Sequence, residues 1–170
     1  MSRIFKETVD VWKNNVEQAV SSKSADMWDV VNKSQYFVAL TDGKEVSFVG
    51  HSKGGAEAAA AAVATNKNAI VFNPANTNLK DYGLNGETYT GHITQYVVRN
   101  EILSETTIEI KVGIMTVKQI KLGPILRSQI PTIETIWLSG INWPLGGIAG
   151  VGIEVINHMM VAVQSGLQRR

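Results

Sequence analysis

Gly50-His51-Ser52-Lys53-Gly54 is the stretch whose residue types and spacing carry the clearest chemistry. A serine bracketed as G-x-S-x-G, with a β-like run before it and a strong helix former after it, suits a sharp strand-to-helix turn that exposes the hydroxyl. The chemistry of such a serine is attack on an acyl carbonyl. A following helix aims its free N–H groups and positive dipole end at the negative charge that develops there. The hydroxyl is a poor nucleophile until a base takes its proton, and a carboxylate must orient that base. The histidines are His51, His92 and His158, and the downstream carboxylates in question are Asp81, Glu101 and Glu105. His51 reads as a packed histidine, because a sharp turn sends the side chains next to the serine in other directions.

These residues need a scaffold, and the pattern of apolar positions supplies one. Phe5, Val9, Trp12, Val16 and Val20 recur at spacings of three and four, which predicts a helix over residues 3 to 20. Ser24 and Asp26 offer caps for a second helix from Ala25 to Leu40, with Trp28, Val31, Phe37 and Val38 inward. After the turn TDGKE, residues 46 to 50 form a strand, AEAAAAAVATN a helix ended by Asn66, Lys67 and Asn68, and residues 69 to 74 a second strand. Strand, helix and strand in so short a span predict a parallel crossover. HITQYVVR is a third strand, TTIEIKVG and IMTVKQIKL a surface hairpin broken at Gly113, and INHMMVAVQSGL a final helix with Ile156, Met160 and Val163 on one face. The class is α/β, with a short, mostly parallel sheet flanked by helices.

Composition narrows the function. The chain of 170 residues fits one domain with a sizeable core. Hydrophobic residues at 44% and charged residues at 18% give a globular balance. A net charge of +1, from 16 basic and 15 acidic residues, provides no field for nucleic acid. Without cysteine there is no disulfide or thiol nucleophile, and the histidine spacing offers no metal motif, so no cofactor and no metal are expected. The N-terminus lacks the apolar core of a secretory signal, which points to the cytoplasm; the alternative is export by a specialised secretion system as part of a larger protein. Residues 136 to 153 are uncharged, but their glycines and Pro144 disfavour a membrane helix and predict an apolar loop, a lid-like or acyl-binding surface, or a peripheral membrane contact.

The run SFVGHSKGGAEAAAAAVA, followed by IVFNPA, resembles the nucleophile region of the fungal-type (class 3) lipases and their bacterial relatives among the α/β-hydrolases. Lys53, where leucine is frequent, gives a second resemblance, to lipase-like domains of exported bacterial toxins. The resemblance implies a partial or minimal α/β-hydrolase fold: a helical lead-in over 1–45, the elbow unit over 46–75, and the acid and histidine region over 92–170, all in one domain. It implies a serine ester hydrolase acting on acyl lipids, whether lipase, phospholipase or esterase. Ser52 is then the nucleophile, His158 the base and Glu101 the acid, in the chain order serine, acid, histidine. Asp81 and Glu105 are reserve acids and His92 the reserve base. Lys53 contributes its backbone N–H to the oxyanion hole.

Two departures from that family matter. Glu101 stands where aspartate is usual, and no strand is evident before Val46 to supply the second oxyanion donor. Either the chain is part of a longer hydrolase, or a second chain or a homodimer completes the sheet, or the domain keeps the elbow without catalysis and serves as a partner- or membrane-binding module. A truncated or partner-completed lipase domain is the preferred expectation.

Overall fold

The computed structural model describes residues 24–99, 107–112, 115–121, 129–140 and 160–169, with backbone alone for the two segments between 107 and 121. In chain order the elements are α1 (Ala25–Leu40), β1 (Ser47–His51), α2 (Lys53–Thr65), β2 (Asn68–Phe72), β3 (Ile93–Val98), β4 (Thr107–Val112), β5 (Met115–Lys121), β6 (Ile133–Leu138) and α3 (Met160–Gln168). Two 3-10 turns, Leu79–Tyr82 and Gly86–Thr88, lie between β2 and β3. The central sheet has the order β1-β2-β3-β6 and every pairing in it is parallel. This is the minimal α/β arrangement that the alternation of elements predicts. The hairpin β4–β5 is antiparallel, with an irregularity between Ile110 and Lys111.

β6 is the element sequence reasoning missed. Its residues IETIWL carry the β-branched and aromatic types that favour strands. They overlap the uncharged run from 136 onward, so the first three residues expected in an apolar loop, Ile136 to Leu138, are instead the end of a sheet strand. Residues 141 to 153 lie outside the described residues. So does the expected helix over 3 to 20.

The middle of α2 is apolar all round because it is covered all round. Ala58 to Ala62 are buried in succession, which an amphipathic surface helix never shows. The helix lies between α1 and the β1–β2 face of the sheet, and methyl-sized side chains permit that close approach on both sides. Its C-terminus closes through Asn66 in the left-handed region at φ 53, whose Oδ1 accepts from the Thr90 and Gly91 amides at the entry to β3.

α1 spans the predicted residues, with Ser24 Oγ capping the Met27 amide. Its inward stripe differs from expectation. Met27, Val31 and Ser34 are buried, whereas Trp28 and Phe37 are exposed. The helix touches α2 along a narrow i, i+4, i+7 line, so residues one position off that line stay in solvent. Trp28 finds an edge-to-face partner in Tyr82, with ring centroids 5.6 Å apart. In α3 the buried residues are Ala162, Val163 and Gly166, and Met160, expected on the inner face, is exposed.

Candidate functional site

In a parallel sheet all strands end at one edge, and a site assembled from strand-following loops forms there. Ser52 follows β1, Asn73 follows β2, Arg99 follows β3 and Ser139 follows β6, so these four positions share that edge.

Ser52 occupies an unusual backbone conformation, φ 56 and ψ −124, between the last residue of β1 and the first of α2. A non-glycine residue pays strain to sit there, and strained residues of this kind persist only where the surroundings enforce them. The enforcement is visible. The Ser52 N–H donates to the Phe72 carbonyl at 3.1 Å, continuing the β1–β2 ladder. Its carbonyl accepts from Ala75 N–H at 2.9 Å and from the Gly55 and Ala56 amides of the first turn of α2. Lys53, as the first residue of that helix, has an N–H with no intrahelical acceptor.

The glycines around the serine are unequal. A Cβ on Gly50 would lie 2.0 Å from the Gly54 carbonyl oxygen and 2.8 Å from the Gly55 nitrogen, so the turn closes only over a bare Cα. On Gly55 a Cβ would meet Pro74 at 3.1 Å. On Gly54, the second glycine of the five-residue motif, it would meet nothing within 4 Å.

Lys53 is fixed by charge. Its Nζ donates to Asp26 Oδ2 at 2.5 Å and lies 3.5 Å from Glu57 Oε1. The hydrogen bond to Asp26 raises the lysine pKa above its ordinary value, against a smaller lowering by burial. The same hydrogen bond lowers the Asp26 carboxyl. Asp26 also sits in the first turn of α1, where the helix dipole favours an anion. An ammonium held in this way stays protonated and is unsuited to act as a base for the adjacent serine.

The remaining candidates are dispersed. His51 ends β1 on the face away from α2 and is half-buried, a more open setting than the core position expected of it. His92 precedes β3 at the opposite edge of the sheet. Its carbonyl accepts from Ala69 N–H, and its Nε2 is 3.2 Å from Thr94 Oγ1 and 3.5 Å from Glu134 Oε2. Ser52 stands about five residues further along the strands, a separation of roughly 16 Å at 3.3 Å per residue. At that separation the His92 ring stands apart from Ser52. Asp81 is half-buried in the first 3-10 turn, which is anchored through Tyr82 Oη accepting from Ser24 N–H and through Gln129 Oε1 accepting from Leu79 N–H. Glu101, Glu105 and His158 lie outside the described residues.

The sequence places the end of the second strand at Asn73 and Pro74 but gives no site role to Asn73-Pro74-Ala75, the segment that folds across the elbow. Its signal was present as a strand ending in an asparagine before a proline, which stops a strand and permits a turn.

A four-stranded parallel sheet with a strand-serine-helix turn at its carboxyl edge defines a minimal α/β fold. Within that class, the family model described as "Phospholipase-like: Tle-like phospholipase domain" matches residues 5–139, and the chain belongs to this family. The match supports the toxin-type lipase resemblance and does not extend to the fungal-type lipases. It includes Ser52, Lys53 and Glu101 and ends before His158. No curated protein matches the chain.

Proposed function

We propose that the chain is a serine hydrolase that cleaves the ester bonds of phospholipids, with Ser52 as nucleophile. The observation that carries this reading is the backbone of Ser52, held at φ 56 and ψ −124 between β1 and α2 at the edge where all four strands end. Membership of a phospholipase-like family supplies the substrate class.

In this reading His158 takes the Ser52 Oγ proton as the Oγ–carbonyl bond forms, and the Lys53 N–H stabilises the resulting oxyanion. The imidazolium returns that proton to the departing lysolipid or alcohol oxygen as the ester C–O bond breaks. Water then releases the fatty acid from Ser52 by the same steps in reverse roles. Glu101 orients the imidazole. Chain connectivity supports both partners. Glu101 follows Arg99 by two residues in the sequence and His158 precedes Met160 by two. Arg99 is fixed at the carboxyl edge by its N–H donating to the Leu138 carbonyl and by its guanidinium 5.5 Å from the Trp137 ring. α3 is fixed near the same edge by Arg169, whose Nη2 donates to the Ser139 carbonyl at 2.9 Å, and by Ala162 and Val163 packed with Val98 and Leu138. β1 is the outermost strand of the described sheet, and a further strand from a longer chain or a second copy on its free edge would bring the second oxyanion donor.

The test is labelling with a fluorophosphonate, together with fatty-acid release from phosphatidylethanolamine and phosphatidylglycerol vesicles. The expected result is labelling and release by the wild-type chain, both lost in Ser52→Ala with the fold intact. A folded wild-type chain that neither labels nor releases fatty acid overturns the hydrolase reading and favours a lipid-binding or partner-binding module.

A further inference from the structure

Asn73 is fully buried, polar, and in the left-handed backbone region at φ 39. Its main chain and side chain perform a substitution within the β2–β3 ladder. In a parallel pair, one residue donates its N–H to a carbonyl on the neighbouring strand and accepts, through its own carbonyl, an N–H two residues further along. The Asn73 N–H makes the first of these bonds, to the Tyr96 carbonyl at 2.9 Å. The second comes from the side chain, where Oδ1 accepts the Val98 N–H at 2.8 Å. The ladder is thus completed one position beyond the last paired residues, Phe72 and Tyr96, and the Asn73 main chain turns away.

Where it turns matters. Pro74 packs over Gly55, and the Ala75 N–H donates to the Ser52 carbonyl at 2.9 Å. One residue therefore reaches the elbow through the chain that follows it and the end of β3 through its side chain. Asparagine suits both duties, since it tolerates the left-handed region and carries an amide oxygen at the reach of a main-chain carbonyl.

We infer that Asn73 is a positioning residue that sets the spacing between Ser52 and the end of β3. The Asn73–Val98 bond fixes the end of β3, and in the hydrolase reading the acid Glu101 follows three residues later in the chain. This role rests on the hydrolase reading above. It acts through geometry, and a misplacement of about 1 Å between reacting groups costs on the order of 10²-fold in rate.

The experiment compares Asn73→Gly, which keeps the left-handed turn and removes the acceptor, with Asn73→Asp, which keeps an acceptor. The readouts are the rate of fluorophosphonate labelling across pH, KM for a soluble ester, and thermal unfolding. The expected result is a folded N73G that labels about 10²-fold more slowly with KM unchanged. Its pH midpoint moves to lower pH, because an imidazole that loses its carboxylate is a weaker base. N73D labels much faster than N73G. A folded N73G with the wild-type rate and midpoint overturns the positioning role while leaving the hydrolase reading intact. Should N73G fail to fold, N73D decides: labelling near the wild-type rate supports the role of the acceptor, and a folded N73D as inert as Ser52→Ala overturns it. A wild-type chain that does not label removes the hydrolase reading, and the positioning role falls with it.

Discussion

The two faces of the central sheet are covered to different degrees. On the face that carries α2, Ala69, Val71, Ile93 and Val97 are buried, and Phe48 packs against the cluster that holds the first three. On the other face Val49 is 65% exposed and Ile70 40%, and the cover that α3 provides lies over β3 and β6, where Val98 and Leu138 are buried. Parallel strands ordinarily bury both faces. Among the described residues, the strand that carries Ser52 is held from one face and one edge, by α2, by β2 and by the Asn73-Pro74-Ala75 crossing.

The sharpest way to break the covered face is Gly50→Ala. Gly50 points toward α2, and its new Cβ would collide with main-chain atoms that cannot rotate aside. We expect a loss above about 4 kcal/mol, enough to prevent folding, measured by urea denaturation and circular dichroism. Gly54→Ala is the control. It adds a methyl group in open space at the second position of a helix, so stability holds or rises by up to about 1 kcal/mol. Equal damage from both would mean that the motif matters as a pattern rather than through the contact at Gly50.

A matched pair of truncations measures the asymmetry directly. Val71→Ala, at a fully buried position, should cost about 2 kcal/mol, and Val49→Ala less than about 0.5 kcal/mol by the same denaturation assay. A comparable cost at both positions would show that the outer face is covered in solution. In the same range, Ala60→Leu forces a larger side chain between the sheet and α1 and should cost about 1 to 3 kcal/mol.

The contrast between the faces also explains what could be read from sequence. The elbow unit was legible because each of its signals is local: β-rich run, glycine, serine, alanine helix, and β-rich run again. The approximate bounds of α1 were legible from the candidate caps Ser24 and Asp26, yet its inward stripe was not, because Trp28 and Phe37 attract attention by size whereas the contact line is set by how α1 lies on α2. β6 was hidden by the uncharged run that begins within it. The position of His92 at the opposite edge could not be read at all, since it depends on strand direction and register. The roles of Asn73 and Asp26 escaped for the same reason, as both act across the fold on partners 25 and 27 residues away.

Alkaline pH probes the covered face without a mutation. Tyr89 belongs to that core, its hydroxyl donates to the Lys67 carbonyl at 2.6 Å, and burial pushes its pKa up to about 12. The folded phenol thus stays neutral where the unfolded one, near 10, ionises. Its contribution to stability is complete below pH 10 and is lost as the pH rises from there toward about 12. Tyr89→Phe should be less stable at neutral pH through the lost hydrogen bond, and its stability should fall less steeply over that window. Parallel pH profiles for the two proteins would place the ionising group elsewhere.

The smallest expected effect concerns the covered face's own defect. Gln95 and Thr135 pair across β3 and β6 in register, and Gln95 Oε1 and Thr135 Oγ1 are both buried without a hydrogen-bond partner. Side chains at paired positions share a face, here the one that carries Ile93 and Ile133. An unmet buried hydroxyl is a cost that an isosteric methyl group removes, so Thr135→Val should raise stability by about 1 kcal/mol or less. The sign decides what fills the space between the two strands. A gain means that the face is dry at this point. A loss of similar size means that a bound water bridges Gln95 and Thr135, because removing one of its partners costs stability. The double variant Gln95→Leu with Thr135→Val then separates the cases further, since a dry site continues to gain when the second polar group goes.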